Sequence, residues 1–123
     1  MSGYSSSTLQ IDSGESVSDE AIQLNGANIR DYSKLGTLVA IIMPAAWTAA
    51  SLTFQASNDN VTFTDMYDTS GNEIAATVAA SRWVPIDPVD FAGVAYLKVR
   101  SGTSGTPVNQ GADRVLTFIT RAV

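Results

Sequence analysis

The chain has 123 residues, 45% hydrophobic and 15% charged, with a formal charge of −5 and neither cysteine nor histidine. That length is one domain, with enough apolar residues to fill a core and too many for a disordered chain. The missing residue types exclude disulfides, thiol nucleophiles, a Ser-His-Asp triad and ordinary zinc sites, and seven scattered basic residues do not make a nucleic-acid footprint.

Residues 1–8 (MSGYSSST) are Ser-rich and read as a flexible arm, which leaves 9–123 as a single domain. The N-terminus has no basic n-region and no apolar stretch, so no signal peptide is expected. The most apolar run, Leu38 to Ala46, falls far short of the ~20 residues of a membrane span. A soluble protein made in a cytoplasm is the expectation. From Leu9 the pattern becomes strand-like: Leu9 and Ile11 alternate with Gln10 and Asp12 before the turn residues Ser13-Gly14-Glu15. Ala21 to Leu24 is a second short run, closed by Asn25-Gly26. Asp12, Glu15, Asp19, Glu20 and Asp31 make this quarter acidic, with Arg30 as its basic exception.

Leu35 to Met43 (LGTLVAIIM) is apolar throughout and reads as a central strand covered on both faces, ended by Pro44. Ala45 to Ala50 forms either one helical turn or a loose loop around Trp47. Leu52 to Asp68 (LTFQASNDNVTFTDMYD) alternates with period two on both sides of Asn58-Asp59-Asn60, the pattern of a hairpin with one dry and one wet face. Glu73 to Val78 and Arg82 to Ile86 are further strands. Ala95 to Arg100 places Leu97 and Val99 on one face and Tyr96, Lys98 and Arg100 on the other. Ser101 to Ala112 is a long turn-rich loop, and Arg114 to Thr120 closes the sheet. Short strands with turn signals every 8–12 residues predict an all-β fold: a single jelly-roll-like antiparallel β-sandwich of about eight strands.

Three constellations invite a chemical reading. Asp59, Asp65, Asp68 and Glu73, with Asn58, Asn60 and Asn72, supply oxygen ligands of the kind calcium takes. Their spacing matches no calcium loop, so turn chemistry is the expected role and no metal or cofactor is assigned. Asp87 and Asp90 are a carboxylate pair of the kind glycosidases use, but they sit together in a Pro-containing turn, where capping is expected instead. Trp47, Tyr67, Trp83 and Tyr96 would suit a sugar platform, although core or rim packing accounts for aromatics beside apolar neighbours.

Two resemblances follow from these residues. Phe54 to Asp68 resembles the SNDG-x-T-[FW] hairpin of discoidin-type carbohydrate-binding sandwiches, with Asn60 at the position where those families carry glycine. The order MPAAWTAASLTFQASNDNVTFTDMYDTSGNE, then RWVPIDPVDFAGVAYLKVRSGTSGTPVNQGADRVLTF, resembles small virion proteins of tailed bacteriophages and prophages from about Ile11 onward. This second resemblance implies a non-enzymatic capsid cement or decoration protein, with a tail or baseplate component as its nearest competitor. It implies no catalytic residue.

The expected partners are therefore the major capsid protein and copies of the chain itself, with a trimer as one option, and neither nucleic acid nor membrane. The expected location is the virion surface after synthesis in the host cytoplasm. Candidate contact residues are Tyr4 and Leu9 on the arm, the Tyr96, Lys98 and Arg100 face, and Thr103, Pro107, Asn109 and Gln110 on the long loop. A glycan-binding attachment module is the alternative. It would expose Trp47 or Trp83 in a groove, whereas a cement protein would bury both.

Overall fold

The computed structural model describes residues 4–24 and 36–121. The Asn25-Gly26 turn, Arg30, Asp31 and the start of the central strand at Leu35 lie outside the described residues.

Nine strands are described: β1 (Tyr4–Ile11), β2 (Ile22–Gln23), β3 (Thr37–Ile42), β4 (Leu52–Ser57), β5 (Thr64–Asp65), β6 (Ala75–Ala76), β7 (Trp83–Pro85), β8 (Tyr96–Ser101) and β9 (Arg114–Arg121). They form two antiparallel sheets, one in the order β1-β9-β3-β7 and one in the order β2-β8-β4-β5, with β6 also paired to β4. One core lies between them. Leu9, Ile11, Leu38, Ile41, Leu116 and Phe118 enter it from the first sheet, and Ile22, Leu52, Phe54, Leu97 and Val99 from the second. The all-β expectation holds, and the arrangement is a sandwich. Full burial of each such side chain is worth about 1.5–3 kcal/mol.

The first strand begins earlier than the sequence pattern suggests. The arm expected over residues 1–8 becomes, from Tyr4, the leading half of β1. It pairs with β9 from Tyr4 opposite Arg121 to Ile11 opposite Arg114. Serine and threonine dilute the alternation there, so a strand that pairs through its backbone carries little hydrophobic signature.

The hairpin forms with a shorter return than its alternation implies. Gln55 lies opposite Asp65 and Ala56 opposite Thr64, but Val61 is 80% exposed and belongs to no strand. The cause is local competition for backbone donors. Asp59 Oδ1 accepts the N–H groups of Val61 and Thr62, and Ser57 Oγ accepts those of Asp59 and Asn60. Those donors are then unavailable to a ladder.

The loop around Trp47 is irregular, and its indole Nε1 donates to the carbonyl of Ala50. After β7, Asp87 Oδ1 accepts from Val89 N and caps a 3-10 turn at Pro88–Phe91, as its sequence position suggests. That turn delivers Phe91 into the core, edge-on to Phe54 with ring centroids 5.1 Å apart.

Candidate interaction surface

The outer face of the second sheet is closed by charge pairing. Arg100, on β8, points away from the core yet is only 5% exposed. Its Nε donates to Thr53 Oγ1 at 2.9 Å, Nη1 to Asp65 Oδ1 at 2.8 Å and Nη2 to Glu73 Oε2 at 2.7 Å. Glu73 also accepts the backbone N–H of Ser104, and Thr53 Oγ1 donates to the carbonyl of Gly102. The guanidinium thus ties β5, the turn before β6 and the loop after β8 onto the face of β4 and β8. The Arg100 hydrogen bond holds the Asp65 carboxyl below the usual range, against a smaller opposing effect of burial.

Arg100 is therefore a structural ion-pair centre rather than an exposed contact. Alternation placed it correctly on the outer face, but alternation carries no information about what folds over that face. Two other candidates are corrected in the same way. Leu9 is a core residue. Gln110 is buried, with Nε2 donating to Thr48 O and Ser101 Oγ, and Oε1 accepting from Thr48 N and Arg114 Nε. Its backbone N–H donates to Glu15 O and its carbonyl accepts from Gly14 N, so one residue pins three loops together.

The remaining candidates do not all share one surface. Tyr96 and Lys98 are half-buried, and Lys98 Nζ sits 4.7 Å above the Phe63 ring. Thr103 is half-buried, while Pro107 and Asn109 are exposed. Lys98 and Asn109 line one shallow depression beside the Glu15 to Asp19 segment. Tyr4 lies on the other sheet.

The outer face of that first sheet is mixed, with Thr8, Gln10, Thr117 and Arg121 beside a set of apolar side chains. Strand register and the inward direction of Leu9, Leu116 and Ile41 put Tyr4, Ser6, Val115, Ile119, Ile42, Trp83 and Pro85 on its outside. Trp83 is 61% exposed and Tyr4 is 58% exposed. With Ser5, Ser6 and Ile119 they line an open groove of about 510 Å³. The Arg121 guanidinium lies 5.3 Å from the Tyr4 ring centroid. The sequence carried a usable signal for this face. Val115 and Ile119 are apolar at the outward phase of an alternating strand, where a solvated sheet carries polar residues.

Two of the turn carboxylates bond locally. Asp59 and Asp68 accept N–H groups of their own turns, Val61 and Thr62 for the first and Ser70 and Asn72 for the second. The backbone bonds from Thr62 and Val61 hold the Asp59 carboxyl below its ordinary value. A group that sequence spacing did not single out is Asp12, Glu15 and Asp19, whose carboxylate oxygens lie within 4.8 Å of one another. Repulsion from Asp19, then desolvation, then Asp12 push the Glu15 carboxyl up. Among the described residues no helix is long and apolar enough to cross a membrane.

Comparison with known proteins adds no family: no protein-family model and no curated protein matches the chain.

Proposed function

We propose that the protein is a non-enzymatic structural component of a bacteriophage particle, a capsid cement or decoration protein. It binds the outer head surface, bridges major capsid subunits and associates with copies of itself. The observation that carries this reading is the outer face of the β1-β9-β3-β7 sheet, where Tyr4, Trp83 and Val115 stand exposed. Throughout the described residues, the buried side-chain polar atoms all have hydrogen-bond partners. A scaffold that satisfies its own polar groups and leaves aromatic surface bare is suited to docking rather than to catalysis. Strand orders β1-β9-β3-β7 and β2-β8-β4-β5 support reading the sandwich as a jelly roll. The test is location: imaging or labelling should find the protein on the heads of intact particles. Particles lacking it should release DNA at a lower temperature, and absence from purified virions sinks the reading.

One observation favours the glycan-binding alternative. Trp83 is exposed in a groove beside Tyr4, as that reading expects, whereas Trp47 is half-buried with its N–H bonded to Ala50 O. The cement expectation that both tryptophans are buried does not hold for Trp83 in the free chain. Both readings now use the same face and differ in what covers it. Glycan affinity abolished by Trp83→Ala, in a protein absent from particle heads, would decide for the alternative.

A further inference from the structure

The exposed ends of the two sheets are unequally protected. At one edge, β7 has three residues, ends at Pro85 and is followed by the Pro88–Phe91 turn, which is bonded to β3 through Thr37 Oγ1 and Pro88 O. In the second sheet β2 and β5 have two residues each. Short strands and proline are the ordinary ways of blunting an edge. β1 has none of these devices. Among the described strands it is the last of its sheet, it runs for eight residues, and its sequence YSSSTLQI contains no charge, proline or glycine.

The two halves of this edge differ. Thr8 to Asp12 share a depression with Asp19 and Glu20, so carboxylates stand beside that half. Tyr4 to Thr8 are all exposed. Ser5 and Ser7 lie on the side of β1 that carries Leu9 and Ile11 into the core, yet neither is buried. The Ser5 to Thr8 stretch of β1 therefore projects past the second sheet, with the side chains of both its faces exposed.

We propose that a second copy of this chain pairs with this edge, β1 antiparallel to β1 and centred on Ser6, so that two four-stranded sheets become one of eight strands. The charge pattern argues for the same chain as occupant. A chain of net charge −5 repels its own copies in general, but Ser5 to Thr8 is an uncharged stretch where two copies meet without repulsion. Sliding the register toward Ile11 would bring the Asp19 and Glu20 carboxylates of the two copies together. With Ser6 opposite itself, Ser5 faces Ser7 and Tyr4 faces Thr8, so hydroxyl side chains meet across the seam and the outward faces stay on one side. Such a pair is closed by a two-fold axis, which makes the unit a dimer rather than a trimer. The two Tyr4–Trp83 grooves then lie on one continuous face. So short a ladder buries less than a standard interface, so the pairing is weak. The dimer fills where copies are crowded side by side.

This inference rests on the self-association in the proposed function, but not on the virion. Sedimentation of the purified full chain up to about 1 mM should show a dimer fraction that rises with concentration. Because the chain has no cysteine, Ser6→Cys provides a direct probe. Under mild oxidation it should cross-link about tenfold faster than Asn109→Cys, placed on a remote exposed loop. Ser6→Lys sets two lysines opposite each other and should weaken the dimer about fivefold, with the thermal midpoint of the monomer unchanged. A chain that stays monomeric, forms trimers, or cross-links equally through both cysteines overturns the proposal. So does a monomer whose β1 edge takes only a different protein. Each of these failures leaves the location test on particles untouched, and a failure of that test leaves the dimer untouched.

Discussion

Arg100 Nη2 lies 2.7 Å from Glu73 Oε2, and the guanidinium that makes this bond also reaches Asp65 and Thr53 on a face turned away from the core. One buried cation thus secures the β5 hairpin and the loop after β8. Removing it leaves two carboxylates facing each other without their partner. Arg100→Ala is expected to cost about 3–5 kcal/mol of unfolding free energy in urea denaturation. Arg100→Lys should recover only part of this, because an ammonium lacks the planar fork that serves both carboxylates. Full recovery by lysine would show that charge alone is sufficient.

Acid should loosen the same hairpin. The Asp65 carboxyl is lowered in the fold, chiefly by its bond to Arg100. The unfolded chain therefore binds that proton more tightly. The contribution is complete above the ordinary aspartate value near ~3.9 and fades as pH falls through the lowered folded value. Asp65→Asn should be less stable than wild type at pH 7, with the difference closing below about pH 4. Stability measured against pH for both proteins checks this, and a constant gap would contradict it.

The Asp12, Glu15, Asp19 group has the opposite sign. Glu15 is raised mainly by Asp19, so the folded state holds its proton longer and loses stability as pH rises through that raised value. Asp19→Asn should raise the thermal midpoint at neutral pH in low salt. The gain should shrink near 1 M salt, where the Debye length is about 3 Å.

Gly102 and Gly105 sit in one loop with different constraints. Gly102 has φ +87°, and a Cβ there would fall 2.5 Å from Thr106 O, while a Cβ on Gly105 meets nothing within 4 Å. Gly102→Ala is expected to destabilise by at least about 1–3 kcal/mol, and Gly105→Ala to be close to neutral. Thermal unfolding of the pair separates backbone strain from general loop tolerance.

Trp83→Ala should leave the unfolding midpoint nearly unchanged, since the side chain is mostly in solvent, and, under the proposed capsid role, should reduce attachment to particles. Trp47→Ala should do the reverse, because Trp47 packs against the core and bonds Ala50 O. Occupancy on particles, measured beside the midpoint of each free variant, distinguishes the two roles.

Alternation made much of this architecture legible. It put Leu97 and Val99 together on one strand face, which is the buried one, read Arg114 to Thr120 as the closing strand, and expected a cap at Asp87. It was silent where pairing runs through backbone alone, as in the serines of β1. It misjudged Val61 because Asp59 captured that residue's N–H first.

By itself the sequence determined the fold class, the phase of strands such as Tyr96 to Arg100, and the absence of cysteine and histidine chemistry, because these depend on residue type and nearest neighbours. Only the tertiary structure decided which outward faces stay outside. Arg100 and Gln110 are polar and became buried because segments distant in sequence fold over them and give each side-chain nitrogen a partner. Trp83 is aromatic and stayed exposed because no described segment crosses the first sheet's outer face. Burial is a property of what arrives from elsewhere in the chain, and period-two patterning cannot carry that information.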